Sequence, residues 1–263
     1  MFKFIKDIIA PKKCYSCKQE WHFLCEKCFF DLEKHYYFDQ MCYVCKKYSK
    51  NFEVHKECKN HLTPLSGGIN PLTPLSGGKK GNVQDLVFFD KTIILTHYKI
   101  KLIKKLVLDL KFYYKREIAD DFAEFMVDKF IKYSKEELKK YKKEDFIVLY
   151  SPTSFYRKLV RWYNISELLA KKISKILWFE FWKNILLKSR HTRQQSKLSR
   201  QTRLDNLNNS FKIAKNKVDK VDKKIVILVD DVISTWTTLN EISKVLKQHN
   251  ARKIICLTVA SWY

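Results

Sequence analysis

Asp230 and Asp231 stand side by side after an apolar run, residues 225–229, and are followed by Val232, Ile233, Ser234, Thr235, Trp236, Thr237 and Thr238. Such a run predicts a strand that delivers two carboxylates into a hydroxyl-rich turn opening a helix. Adjacent carboxylates can accept hydrogen bonds from neighbouring sugar hydroxyls. The N–H groups and Thr hydroxyls of a helix N-terminus suit a phosphate. Together these residues predict a ribose-phosphate site, with Asp230 and Asp231 on the sugar and Ser234, Thr235, Trp236, Thr237 and Thr238 around the phosphate.

A second chemistry lies near the N-terminus. Cys14, Cys17, Cys25 and Cys28 have the spacing C-x2-C-x7-C-x2-C, which lets two short knuckles present four thiolates tetrahedrally to one Zn2+ ion. Cys42, Cys45, His55 and Cys58 repeat the form with one imidazole in place of a thiolate; the alternative is a decayed half-site in which Cys58 is idle. Two structural zinc sites are therefore expected. Knuckles of this size bury little apolar surface, so the metal would supply most of their folding free energy. The eighth cysteine, Cys256, falls in the apolar run 254–259 and reads as an inert core thiol.

The elements that must position the carboxylates follow from residue 91 onward. Strand-like runs at 93–98, 146–150, 185–187, 225–229 and 254–259 alternate with helical patterns at 102–112, 118–133, 158–176 and 239–248. Short β-branched runs separated by amphipathic helices predict an α/β fold, a parallel sheet covered by helices on both faces. Ligands then belong at the C-terminal ends of the strands. Two further loops meet that condition. Residues 150–164 carry Arg157, Lys158 and Arg161, and residues 188–211 carry Arg190, Arg193, Arg200 and Arg203. Arg suits pyrophosphate through bidentate pairing, and the blander alternative is a solvated or nucleic-acid-binding face.

Residues 62–68 and 72–78 both read LTPLSGG, a tandem duplication that suits a flexible linker. The expected organisation is a helix and double zinc ribbon over 1–61, an insert over 62–81 and a larger α/β domain over 82–263. All five glycines lie in the insert, where average usage would place roughly 17 in the rest of the chain. Trp21, Trp162, Trp178 and Trp236 occupy places where a turn, a ligand loop or a helix end favours glycine, whereas nothing around Trp182 does. The expectation is that some of these tryptophans are TGA codons that the source organism reads as glycine, and that an indole at 236 would crowd the phosphate.

The formal net charge of +24, from 52 Lys and Arg against 28 Asp and Glu, suits a polyanion such as nucleic acid or a membrane surface, or reflects a lysine-rich proteome. No apolar run approaches the roughly 18 residues of a membrane span. Residues 1–10 are amphipathic and too short and charged for a secretory signal, so they are expected to dock on the fold. Eight cysteines in such a chain fit metal ligation in a reducing cytoplasm better than disulfides. A nucleotide-hydrolysing reading of the 226–231 strand fails because no G-x4-G-K-[ST] loop exists.

The run ILVDDVISTWTTL resembles the phosphoribosyl-diphosphate signature of type I phosphoribosyltransferases, with Trp236 in place of its glycine. SRHTRQQSKLSRQTRLDNLNNSF and RKLVRWYNISELLA, behind the paired cysteines, are similar to the ComF family of competence proteins, with Trp162 at another family glycine. The resemblance implies a type I phosphoribosyltransferase-like domain after a double zinc ribbon. It implies Asp230 and Asp231 on the ribose, 234–238 on the 5′-phosphate, the Pro152 loop with Arg157 and Arg161 on pyrophosphate, and Mg2+ with phosphoribosyl diphosphate. Gln195 and Arg203 match a polar family segment. The implied role is cytoplasmic handling of single-stranded DNA in natural transformation, beside uptake machinery at the inner membrane. The alternative is a non-catalytic single-strand-binding module on the same scaffold, with Phe155, Tyr156 and Tyr163 stacking on bases.

Overall fold

The computed structural model describes residues 11–35, 40–42, 44–45, 47–60, 87–153, 163–188, 210–234 and 236–262. The expected N-terminal helix, the insert, Arg157, Arg161, Trp162, Thr235 and most of the 188–211 loop, with Arg190, Arg193, Gln195, Arg200 and Arg203, lie outside them.

Five strands form one parallel sheet in the order β1-β7-β6-β2-β3: β1 is Lys91–His97, β2 Phe146–Tyr150, β3 Glu180–Phe181, β6 Ile225–Ile233 and β7 Lys253–Ser261. The sequence of β2, FIVLY, is buried throughout, as is the first half of β6, because helices cover a parallel sheet on its faces and leave no side for polar residues. Helix α1 spans Glu26–His35 and α2 Lys56–Asn60 in the cysteine module. Then come α3 Lys101–Phe112, α4 Ile118–Tyr133, α5 Lys135–Lys140, α6 Ile165–Leu177 and α7 Thr237–Gln248. Helices α4 and α6 pack on one another; α4 covers β1 and β7, and α6 covers β2 and β6. The fold class read from the run pattern is thus the one observed.

Several boundaries differ from expectation, and those nearest the carboxylates and the sheet edge differ for a physical reason. β6 does not stop before the carboxylates but continues to Ile233, because β7 runs on to Ser261 and pairs with it through Asp230↔Thr258, Val232↔Ala260 and Ile233↔Ser261. β2 ends at Tyr150 opposite Val229, so among the described strands β6 has no partner on that edge from Asp230 onward. The helix expected over 158–176 starts at Ile165, since the Asn164 side chain accepts the Ser166 N–H at 3.0 Å and caps it. The run expected at 185–187 is strand β4, Leu186–Lys188, and it pairs antiparallel with β5, Phe211–Ile213, outside the main sheet.

The cysteine module docks on the sheet domain. Phe29 stacks on Phe125 of α4 at 4.1 Å, and Asp121 accepts the N–H groups of Phe23 and Leu24 at 2.7 and 2.9 Å. Its second half meets the β1 edge, where Phe52 packs edge-on against Tyr133 at 4.8 Å and Val54 donates to the Asp90 carbonyl at 2.8 Å.

Candidate ligand site and metal centres

The strand order reverses between β2 and β6: from β2 the chain moves outward to β3, and from β6 it moves the other way to β7. The crevice beyond the carboxyl ends of such a pair is where open α/β sheets bind ligands. Asp230 and Asp231 occupy the end of β6 there. Asn164 Nδ2 donates to the Ser151 carbonyl at 3.0 Å, and Ser151 donates to the Val229 carbonyl at 3.0 Å, which fixes the start of α6 against the strand ends.

The two carboxylates are held differently. Asp230 Oδ1 accepts from Ser166 Oγ and from the Asp231 N–H, both at 2.9 Å. Asp231 Oδ2 forms an ion pair with Lys111 Nζ, in the last turn of α3, at 2.8 Å, and its Oδ1 accepts the Val232 N–H at 2.6 Å. Burial, and next the charge of Asp231, push the Asp230 carboxyl up to about 7, against the opposing pull of the Ser166 hydroxyl, the Asp231 N–H and Lys111. The pair therefore sits poised, with one charge secured by lysine and the other titrating near neutrality.

The turn is shorter than the sequence suggests. Ser234 is exposed, and Thr237 and Thr238, half-buried, already belong to the first turn of α7, where N–H groups have no helical acceptor. Trp236 is the N-cap residue. It has a right-handed backbone (φ −76°, ψ −3°), is 6% exposed and packs edge-on to Phe89 at 6.3 Å. The indole therefore points into the core beside Phe89, contrary to the expectation that it would crowd the phosphate. Ser166 and Lys111 are the site residues that sequence reasoning missed. Each is a common residue on an ordinary helix, lying 64 and 120 positions from its aspartate, and no spacing signals either. A cleft of about 380 Å³ between α4 and α6, lined by Asp120, Glu124, Leu168, Lys171 and Lys172, contains none of these groups.

Both cysteine sets assemble. The ligand atoms of Cys14, Cys17, Cys25 and Cys28 lie within 4.8 Å of one another, and so do those of Cys42, Cys45, His55 and Cys58. Cys58 thus joins the second group. His55 Nε2 lies 2.9 Å from the Tyr48 carbonyl, which fits Nε2–H as the donor and leaves Nδ1, 3.3 Å from Cys45 Sγ, as a donor atom for a metal. The protonation pattern asks for a cation. Burial pushes the Cys25 thiol up to about 12, while burial at Cys14 is outweighed by the N–H groups of Cys25, Cys17 and Ser16, which bring that thiol down to about 7. Four sulfurs this close cannot all ionise unaided, and both donor sets suit Zn2+. Cys256 is fully buried in β7, and burial raises its thiol well above the ordinary range, as an inert core residue requires. Among the described residues, no helix is long and apolar enough to cross a membrane.

A model of the phosphoribosyl transferase domain matches residues 166–261, which run from Ser166 through both aspartates to the end of β7. The chain is also 28% identical over 215 residues to competence protein F of Haemophilus influenzae, a match that spans 81% of this chain and 87% of that protein.

Proposed function

We propose that this chain, a homologue of competence protein F that carries a phosphoribosyl transferase domain, binds phosphoribosyl diphosphate at Asp230 and Asp231 and acts on single-stranded DNA during DNA uptake. The observation that carries the first part is the adjacent carboxylate pair near the end of β6, ahead of the α7 N-terminus. Ribose hydroxyls would donate to Asp230 and Asp231, and the 5′-phosphate would accept from the first-turn N–H groups and the hydroxyls of Thr237 and Thr238. Ser166 holds Asp230 at the strand end, and Lys111 shares Asp231 with the arriving sugar. The basic loops with Arg157 and Arg161 would meet the diphosphate.

Sugar hydroxyls donate more strongly to an ionised Asp230 than to a protonated one, so binding favours loss of its proton. In a transfer reaction, the bond from C1 to the diphosphate oxygen breaks with its electron pair leaving on pyrophosphate, and the acceptor's lone pair forms the new bond at C1. Mg2+, when bound, would neutralise charge on the diphosphate, and Asp230 and Asp231 are the carboxylates that would hold it. The net charge of +24 supports the DNA part through phosphate contacts. A thermal-shift titration tests the reading: phosphoribosyl diphosphate with Mg2+ should raise the melting temperature of the wild type and leave that of Asp231→Asn unmoved. An equal shift in both would remove the carboxylates from the site.

The second reading, a scaffold that binds single strands without turnover, is favoured by the same charge. Affinity for a labelled oligonucleotide that falls steeply with salt and ignores phosphoribosyl diphosphate would select it.

A further inference from the structure

Three consecutive residues in the last turn of α3 are each tied to a different part of the molecule. Asp109 accepts a short hydrogen bond from the hydroxyl of Tyr15, which lies between Cys14 and Cys17. The Leu110 carbonyl accepts from the hydroxyl of Tyr163, the residue ahead of the Asn164 cap. Lys111 holds Asp231. Lys115 closes the first link, donating to Tyr15 Oη at 2.6 Å and Asp109 Oδ2 at 2.9 Å, and Arg116 lies over the Tyr163 ring at 4.5 Å. Asp109 is only 8% exposed, and the Lys111 and Asp231 side chains are 16% and 19% exposed, so water screens these links poorly.

We infer that metal occupancy of the Cys14, Cys17, Cys25 and Cys28 group is coupled to ligand binding at Asp230 and Asp231 through this turn, with Tyr15 and Asp109 as positioning residues. The inference rests on the phosphoribosyl-diphosphate reading above. A knuckle this short keeps its shape only while its cysteines share an ion. When it opens, Tyr15 leaves Asp109, the exposed end of α3 frays, and Lys111 is no longer fixed on Asp231. The ligand is a polyanion approaching two aspartates, so an ammonium group fixed on Asp231 favours its entry, and losing that group weakens binding. Linkage is reciprocal in affinity, so bound ligand must tighten the metal by the matching factor, and the tighter metal is expected to leave more slowly.

The test is zinc release from the full-length protein to a chromophoric chelator, with and without phosphoribosyl diphosphate and Mg2+. The phase that belongs to the first group is identified by its disappearance in Cys17→Ser. The ligand is expected to slow that phase about fivefold or more, the lower end of usual couplings, and Tyr15→Phe to keep its zinc while losing the slowing. Asp109→Asn serves as the second variant if Tyr15→Phe does not fold. If the ligand binds the wild type yet leaves the phase unchanged, the coupling is overturned and the site reading stands. If the ligand does not bind at all, both fall.

A separate observation concerns residue identity. Trp178 follows the last residue of α6 with φ 57° and ψ 36°, and both its own N–H and that of Phe179 return to the Ser174 carbonyl, the helix-ending geometry that glycine serves. Trp21, in the first knuckle, has φ 77° while its N–H bonds to the Lys12 carbonyl at 2.8 Å. A left-handed backbone is costly for a bulky side chain, and these indoles are 80% and 56% exposed, with little burial to offset it. Trp182 is used as a tryptophan, its Nε1 on Glu180 at 2.5 Å and Lys220 over its ring at 4.6 Å.

We propose that Trp21 and Trp178 are glycines in the native protein, encoded by TGA. Native peptides from source cells spanning both positions should have glycine masses, with TGA at both codons and TGG at 182. Tryptophan masses or TGG at 21 and 178 would overturn it. In recombinant protein, Trp178→Gly should raise the melting temperature by about 2–4 °C. A fall would refute the backbone argument.

Discussion

Replacing Asp230 by Asn should stabilise the ligand-free protein at alkaline pH and do nothing for it in acid. Asn keeps the shape and an Oδ1 that can still accept from Ser166 Oγ and the Asp231 N–H. What it removes is a charge that burial and Asp231 disfavour, having moved the carboxyl from 3.8 to about 7. At 1.36 kcal/mol per tenfold, that displacement is about 4 kcal/mol for the ionised form, and partial exposure of the pair reduces it to about 2 kcal/mol. The sign follows from linkage. A group whose pKa is raised on folding leaves stability intact below the unfolded value near 3.8, and that stability is lost as pH rises toward 7. The variant should therefore melt about 4–8 °C above the wild type at pH 8.5, with the difference largely gone at pH 3.5. Circular dichroism melts at the two pH values read this directly. A gain independent of pH, or a loss at pH 8.5, would refute the claim that Asp230 is ionised at a cost.

Because ligand hydroxyls bond more strongly to the ionised Asp230, phosphoribosyl diphosphate affinity should rise between pH 6 and 8 in the wild type, as calorimetry in buffers of different ionisation enthalpy would show through proton release. Lys111→Met should remove the lysine charge from Asp231 and weaken binding of the same ligand about tenfold or more, against a small change for the exposed Lys104→Met. Chelation of the metal should melt the knuckles first, seen as loss of amide protection over 12–28 while β6 and β7 stay protected. Breaking the buried Glu137 contacts to Lys91 (2.9 Å) and Lys253 (2.5 Å) with Glu137→Gln should cost about 3 kcal/mol in chemical denaturation, since two lysines, one almost fully buried, are left with only their longer contacts to the half-exposed Glu53, at 3.9 and 3.5 Å.

Local and periodic features of this fold could be read from the chain. The β-branched runs at 146–150 and 225–229 could only be interior strands, and helix 118–133 was bounded by its pattern to the residue. Cysteine pairs two residues apart indicate a metal knuckle because backbone geometry sets that spacing. The continuation of β6 through Asp230 was not legible, since it depends on how far β7 extends beside it. Nor was the beginning of α6, which is set by one Asn164 side-chain hydrogen bond to the Ser166 N–H. Ser166, Lys111 and the Tyr15–Asp109 link are tertiary contacts between residues 64 to 120 apart. Only the folded chain brings them together. The strained tryptophans lie between these cases: the missing glycines were visible as composition, and which positions need a left-handed backbone became visible in the fold.

The most direct test is an isothermal titration of phosphoribosyl diphosphate, with Mg2+, into the zinc-loaded full-length protein. The account predicts saturable binding at one site per chain, lost in Asp230→Asn and Asp231→Asn while both variants remain folded. A wild type that gives no heat, yet binds single-stranded DNA with a steep salt dependence, would contradict it and leave the fold as a nucleic-acid scaffold.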